Sequence, residues 1–269
     1  MIASNARLVS AGAALALLLA ACSQNEGDAK PGAGTGAAPA TAAEAVALEA
    51  RPAIREGVRA LPRLVGDTPA IAAINADFDR IDADTEGCGG PGEYTRFATM
   101  PMTGPGYFTV MLRDEYYCQG TAHPGFSVSA ITYDLATGQR VDWVAAAPGL
   151  ALMRPDPWDN APATYESTLQ STVLAEWYGR KMMASADAES LGGCRDSYTT
   201  EMLADQFFQL WLDAQTGGLT VSPDFPHVIQ ACAESATMTE AEMRQFGVTP
   251  AIIEAVLAAT AAENFGPKG

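Results

Sequence analysis

The chain has 269 residues, 48% of them hydrophobic, and its 32 acidic residues outnumber 16 basic ones to give a net charge of −16 at pH 7. This balance excludes a nucleic-acid-binding protein, because phosphate contact requires clustered lysine and arginine. It disfavours peripheral binding to anionic lipid, whereas a negative surface attracts cationic partners and accelerates their encounter.

The first element is an apolar segment from Leu8 to Ala21. It is shorter than the ~20 residues that span a bilayer, so it predicts a signal peptide over residues 1–21. Its last residues, Leu19-Ala20-Ala21-Cys22, resemble the lipobox of bacterial lipoproteins. That resemblance implies cleavage before Cys22 and acylation of this residue, and Ser23 after it implies transport to the outer membrane. The alternative is an ordinary signal peptide in which Cys22 has no role.

A tether and a globular part follow. Residues 22–54 begin with the predicted lipidated cysteine and are dominated up to residue 50 by Ala, Gly, Pro and Thr. This composition cannot bury a core and is typical of a flexible tether. Residues 55–264 have the length of a single globular domain of ordinary size. We therefore expect an exported protein, attached to the outer membrane through its lipid and facing the periplasm.

The first half of the globular part reads as a helix followed by strands. Thr68 and Pro69 predict a helix start, and apolar residues follow at helical spacing: Ile71, Ile74, Phe78 and Ile81. After a glycine-rich loop, residues 106–118 and 125–135 have the aromatic and β-branched composition of strands. A further short strand is expected to end at Trp143.

The second half repeats this order of a helix, strands and helices. A helix is expected across residues 163–184, and a hairpin joins residues 207–213 to 219–222 through Gly217 and Gly218. Residues 227–233 read as another strand. A capping box of Thr239 and Glu242 opens a helix that Gly247 ends, and Thr249-Pro250 opens the last one. The pattern predicts an α+β fold, with a largely antiparallel sheet, flanking helices and two disulfides.

The cysteines support the same compartment. With Cys22 assigned to lipid, four remain, an even number suited to an oxidising environment. Three pairings are possible, and we favour Cys88–Cys118 and Cys194–Cys232 because each joins neighbouring segments. With no C-x-x-C motif and only two histidines, the sequence favours neither a structural zinc site nor thiol–disulfide exchange. We expect no metal and no cofactor.

Three segments taken together resemble a known family. Residues 108–143, with Tyr133-Asp134-Leu135-Ala136-Thr137-Gly138, residues 208–231 and the helix from Ala70, with Ile74-Asn75, are similar to an extracytoplasmic domain of Firmicutes. That domain occurs in the lysozyme-sensing anti-sigma factor and beside the catalytic domain of a peptidoglycan deacetylase. In the anti-sigma factor it binds lysozyme. The resemblance covers roughly residues 60–246 and implies a binding domain without catalysis.

The sequence offers one candidate general base. His123 follows a strand that carries Asp114 and Glu115, and Asp134 closes the next strand. Any of these acids would be the residue type that orients a catalytic histidine. No G-x-S-x-G motif supplies an activated serine, and a histidine beside proline in a turn is more often structural. We therefore assign no catalytic residue.

Aromatic residues around the same turn are the candidates for ligand binding. Tyr116, Tyr117 and Tyr133 lie on the two predicted strands, and His123 lies between them. Alternation along a strand places Tyr116 and Tyr117 on opposite faces, so one of them is expected to be in the core. The preferred function is a lipid-anchored periplasmic binding module whose partner is a cationic envelope protein such as lysozyme. The alternative is an envelope hydrolase that acts on peptidoglycan or its peptides.

Overall fold

The computed structural model describes residues 44–85, 87–88, 90–157, 161–185 and 192–266. The expected signal peptide, the lipidation site Cys22 and most of the expected tether lie outside these residues. The folded part begins before Arg55, since β1 (Leu48–Glu49) pairs antiparallel with β2 (Arg63–Leu64). Val46 also packs against the core, so the tether boundary at residue 54 is placed too far along the chain.

The first layer is a helix on an antiparallel sheet. Helix α1 (Pro69–Ala83) begins where Thr68 Oγ1 accepts a hydrogen bond from the Ile71 N–H at 3.2 Å. The sheet has the order β3-β4-β5, formed by Gly92–Met102, Tyr107–Cys118 and Gly125–Asp134. Apolar side chains of the helix pack against those of the sheet: Ile74, Phe78, Ile81, Phe108, Val110, Leu112, Ile131 and Tyr133.

The second layer repeats this construction around a larger core. Strands β6 (Phe207–Asp213), β7 (Gly218–Asp224) and β8 (Ala236–Met238) form an antiparallel sheet in that order. Several helices contribute side chains to its core. They are α2 (Trp143–Ala146), α3 (Thr172–Ser185), α4 (Thr200–Leu203), α5 (Glu240–Gln245) and α6 (Pro250–Ala261).

Buried polar groups join the two sheets. Gln209 on β6 is only 3% exposed. Its Oε1 accepts from the Ala130 N–H on β5 at 3.2 Å, and its Nε2 donates to Thr168 Oγ1 at 3.1 Å. The Leu212 N–H donates to Thr132 Oγ1 at 3.3 Å. Because a buried amide left unpaired costs about 1–3 kcal/mol, these bonds fix the position of β6 beside β5.

The predicted fold class is confirmed. The strands of each sheet pair antiparallel, with helices packed against them. Both predicted disulfides are present, with Cα–Cα distances of 5.1 Å for Cys88–Cys118 and 5.4 Å for Cys194–Cys232. The capping box of Thr239 and Glu242 is also present.

Three predicted elements are wrong in type or extent. Residues 227–233 do not form a strand but a 3-10 helix over His227–Cys232, where the Gln230 side chain pairs with the backbone of β5. The helix expected from residue 163 starts only at Thr172, because Leu169 pairs with Phe208 on β6. The expected strand ending at Trp143 is replaced by the start of α2, which the Asp142 side chain caps.

Glu242 gives a prediction for the pH dependence of stability. Burial raises its pKa, but hydrogen bonds from Thr239, Trp177 and Lys181 outweigh burial and lower the pKa to about 2. A depressed carboxyl pKa adds stability above the unfolded value near 4.5, and that stability disappears as the pH falls towards 2. We expect Glu242→Gln to lose about 1–2 kcal/mol at pH 7 and to approach wild type at pH 2–3.

Urea unfolding at both pH values measures this difference. The matched control is Glu240→Gln in the same helix, whose carboxylate forms an exposed i,i+4 pair with Arg244 and should contribute less than about 0.5 kcal/mol. An equal loss for Glu242→Gln at pH 7 and pH 2.5 would contradict the assignment.

Candidate functional site

The far end of the first sheet exposes one face to solvent. In an antiparallel pair, residues directly opposite each other share a face. The register places Glu93 opposite Tyr117, Thr95 opposite Glu115, and Phe97 opposite Arg113. On the other side of β4, Glu115 lies opposite Phe126 and Arg113 lies opposite Val128 on β5. We call these eight residues the hairpin surface: Glu93, Thr95, Phe97, Arg113, Glu115, Tyr117, Phe126 and Val128.

The hairpin surface is open and partly apolar. None of its eight side chains is buried, and Tyr117 and Phe97 are 49% and 37% exposed. Six of the eight, together with Tyr94, Tyr116, Pro124 and Gly125, line a shallow depression of about 520 Å³. Exposed aromatic side chains with charged neighbours are the composition of protein-recognition surfaces, in which Tyr, Phe and Arg are enriched.

One cation on this surface is already held in place. The Arg113 guanidinium lies 4.1 Å from the centroid of the Phe126 ring, and its Nε donates to Glu115 Oε1 at 2.7 Å. Stacking on the ring fixes the plane of the guanidinium, and the ion pair fixes the Glu115 carboxylate. Arg113 is therefore neutralised locally, while the Glu93 carboxylate beside Tyr117 has no ion-pair partner among the described residues.

The opposite face of the same strands is braced by a buried ion pair. Arg96 is 5% exposed and donates to Asp114 from Nε at 2.7 Å and from Nη2 at 3.3 Å. The Tyr94 hydroxyl donates to the same carboxylate at 2.7 Å. Burial and the Asp114 charge raise the pKa of Tyr94 to about 12, so this hydroxyl stays protonated and keeps donating. The Cys88–Cys118 disulfide closes the end of β4.

The two histidines lie at the tip of the hairpin and stack on each other. The ring centroids of His123 and His227 are 6.1 Å apart and the planes are 18° from parallel. Both residues are exposed. Gly125 lies below Tyr116, where an added Cβ would come within 2.7 Å of the Tyr116 ring and 3.0 Å of His227 Nδ1. A residue without a side chain is therefore needed for this cluster to pack.

The structure assigns other partners to the three acids considered for His123. Asp114 binds Arg96 and Tyr94, and Glu115 binds Arg113. Asp134 lies at the other end of β5, where its carboxylate accepts from the backbone of the following turn. The geometry thus gives no support to a His–acid pair here.

Three of the four candidate binding residues come together, and one does not. Tyr116, Tyr117 and His123 lie at or beside the depression. Tyr133 is fully buried below α1, and its hydroxyl donates to Asp77 Oδ2 at 2.7 Å, so it is a core residue. The expectation that Tyr116 or Tyr117 is in the core is wrong, since Tyr116 is half-buried and Tyr117 exposed; the core ends below them at Leu112.

The sequence does not predict β3, and with it three of the eight residues of the hairpin surface are missed. Glu93, Thr95 and Phe97 alternate with Tyr94, Arg96 and Ala98, which is a period-two pattern. The core side of this strand contains the buried Arg96, so the sequence lacks the apolar face that predicts a strand. The charged partner Asp114, 18 residues away, is what makes that side compatible with burial.

The described residues contain no group of three or more His, Cys, Asp or Glu side chains placed to hold a metal ion. In the same part of the chain, none of the helices has both the length and the apolar character needed to cross a bilayer. Comparison of the chain with protein-family models and with curated protein sequences finds no match.

Proposed function

We propose that this protein is a lipid-anchored periplasmic binding module that holds a cationic envelope protein, such as lysozyme, on its hairpin surface. The observation that carries the proposal is the composition of that surface: exposed aromatic side chains beside carboxylates, on a rigid sheet. Aromatic rings provide contact area at low entropic cost, and carboxylates provide charge complementarity to lysine and arginine.

The distribution of charge supports a cationic partner. Ten of the 16 basic side chains already form ion pairs with carboxylates in the described part of the chain. Because the acidic residues outnumber all the basic ones and give a net charge of −16, the protein stays negative even where its remaining cations are unpaired. A negative potential of this kind steers cationic partners and raises the association rate in a salt-dependent way.

The hairpin surface and the start of the described chain lie at opposite ends of the sheet. The described chain begins next to the β3–β4 turn, where the Val46 N–H donates to the Thr103 carbonyl at 2.6 Å. The hairpin surface lies towards the other end of β4, a strand of 12 residues that spans about 37–40 Å at ~3.4 Å per residue. The described chain thus enters the sheet at the end opposite the hairpin surface.

Titration of lysozyme into the full chain, purified in detergent, tests the proposal. We expect saturable binding measured by calorimetry, with a dissociation constant that rises at least ~tenfold between 50 and 500 mM NaCl because screening weakens the charge attraction. An acidic protein of similar size is the control and should not bind. Absence of lysozyme binding at 50 mM NaCl would contradict the proposal.

A further inference from the structure

A second cavity lies away from the hairpin surface, beside the edge of β5 that faces away from β4. It has a volume of about 450 Å³ and lies between residues 130–132 of that strand and two loop segments, residues 154–157 and 165–169. Trp143 and Val141 also line it. We call this cavity the edge cleft. Its volume is within the range of sites that bind small molecules and short peptides, about 300–1,000 Å³.

One wall of the edge cleft is fixed by a half-buried ion-pair network. Arg140 donates to Asp77 from Nε at 2.7 Å and from Nη2 at 3.1 Å, and to the Ala163 carbonyl from Nη1 at 2.8 Å. Burial raises the pKa of Asp77, but the hydrogen bonds and charge of Arg140 outweigh it and lower the pKa. Each of the three guanidinium nitrogens of Arg140 is thus bound within the fold, and this side chain positions the wall of the cleft.

Two other residues of the cleft have N–H groups without an acceptor among the described residues. Arg154 uses a single nitrogen, Nη2, to bind Asp142 at 2.8 Å, and its remaining N–H groups have no acceptor among the described residues. Only 5% of the Trp143 surface is exposed, and its indole N–H donates to no group in the described part of the chain. Its Nε1 atom is itself accessible, so this N–H is open to the cavity that Trp143 lines and is available to a ligand oxygen.

Acceptors lie on the same cleft. The Glu166 side chain is 60% exposed and only loosely paired, with oxygen–nitrogen distances of 3.5 Å to Arg80 and 3.4 Å to Arg140. Asp156 adds a second carboxylate among the lining residues. Two arginines and two acids give the lining a balanced charge. A lining of balanced charge, within a protein of net charge −16, disfavours an anionic ligand. It suits a neutral ligand that carries one positive and one negative group.

We propose that the edge cleft binds a short peptide with free termini. The terminal carboxylate is bound by Arg154 and the Trp143 N–H, the terminal ammonium by Asp156 and Glu166, and the apolar wall of Val141, Ile131 and Tyr165 packs against the side chains. Such a ligand pairs each spare donor and acceptor named above. The inference does not depend on the function proposed for the hairpin surface.

Calorimetric titration of the full chain with the tripeptide Ala-Leu-Ala tests the inference. We expect saturable binding that weakens at least tenfold when the carboxyl terminus is amidated, and likewise when the amino terminus is acetylated. The trisaccharide of N-acetylglucosamine, a neutral ligand of comparable size, should not bind. Binding of the sugar alone, or equal affinity for free and doubly blocked tripeptide, would overturn the inference.

Single substitutions test which residues bind the terminal carboxylate of the peptide. In Arg154→Ala the free acid and the amide should bind with equal affinity, while acetylation should still weaken binding. Trp143→Phe keeps an aromatic ring and removes the N–H, and should weaken the free acid by several-fold. The matched control is Arg180→Ala on α3, another exposed, ion-paired arginine, which should behave as wild type. Undiminished preference for the free acid in Arg154→Ala would overturn the assignment of the carboxylate.

Discussion

Replacing Asp114 by alanine is expected to destabilise the protein by about 3–5 kcal/mol, because the variant leaves the Arg96 guanidinium buried without its counter-charge. Arg96 is 5% exposed, and two of its three guanidinium nitrogens donate to the Asp114 carboxylate. The Tyr94 hydroxyl loses its acceptor in the same variant. Removal of one partner of an exposed ion pair should destabilise the protein much less.

Urea unfolding at pH 7 measures this loss. The matched control is Glu176→Ala, which removes an exposed carboxylate 3.8 Å from Arg180 and should change the free energy of unfolding by less than about 0.5 kcal/mol. Because Asp114 braces the far end of the sheet, Asp114→Ala should also weaken lysozyme binding. A loss below about 1 kcal/mol would show that the buried pair contributes little.

Removal of the Cys194–Cys232 disulfide is the second large effect. The bond closes a loop with a sequence separation of 38, for which the chain-entropy model gives about 4 kcal/mol. Within that loop, Tyr198 is buried and its hydroxyl donates to the Cys232 carbonyl at 2.9 Å, so the loop ends inside the larger core. We expect the variant with both cysteines changed to serine to lose about 4 kcal/mol in urea unfolding.

The other disulfide provides the comparison. The corresponding serine variant of Cys88–Cys118, with a separation of 30, should lose about 3.5 kcal/mol and also bind lysozyme more weakly, since this bond closes the strand that carries Tyr117. The folded Cys194–Cys232 variant should retain wild-type affinity. Equal affinity losses in the two variants would contradict the placement of the binding surface.

The elements that could be predicted from sequence are those whose signals are local. Helix α1 follows from its cap and apolar spacing, and the β6–β7 hairpin from alternation around two glycines. Helix α5 follows from the capping box. In each case the residues that decide the structure are adjacent in sequence, so their pattern can be read without the fold.

The errors arise where a distant partner decides the structure. A strand is expected near His227, but Gln230 instead pairs with the backbone of Phe126, 104 residues away. Tyr133 is expected at a binding surface, yet Asp77, 56 residues away, accepts a hydrogen bond from its hydroxyl and makes its burial favourable. A single sequence does not show which side chains meet at such distances.

The candidate site also combines features that the local sequence predicts with features that depend on distant residues. Tyr116, Tyr117 and His123 stand out in sequence as polar aromatic side chains beside a turn. The hairpin surface, however, also depends on Phe97 from β3 and Phe126 from β5, which join it only through strand register. The edge cleft combines segments from four parts of the chain, and no local sequence pattern predicts it.

The central claim, that a cationic protein binds on the hairpin surface, is tested most directly by the lysozyme affinity of two matched triple variants. The first changes the surface itself: Glu93→Gln, Glu115→Gln and Tyr117→Ala. The second makes the same kinds of change at exposed positions elsewhere: Glu201→Gln, Glu254→Gln and Met202→Ala. We predict that the first loses at least ~tenfold in affinity and the second less than ~twofold, because hot-spot contacts cluster at the interface. Equal losses in both variants, or no loss in the first, would contradict the claim.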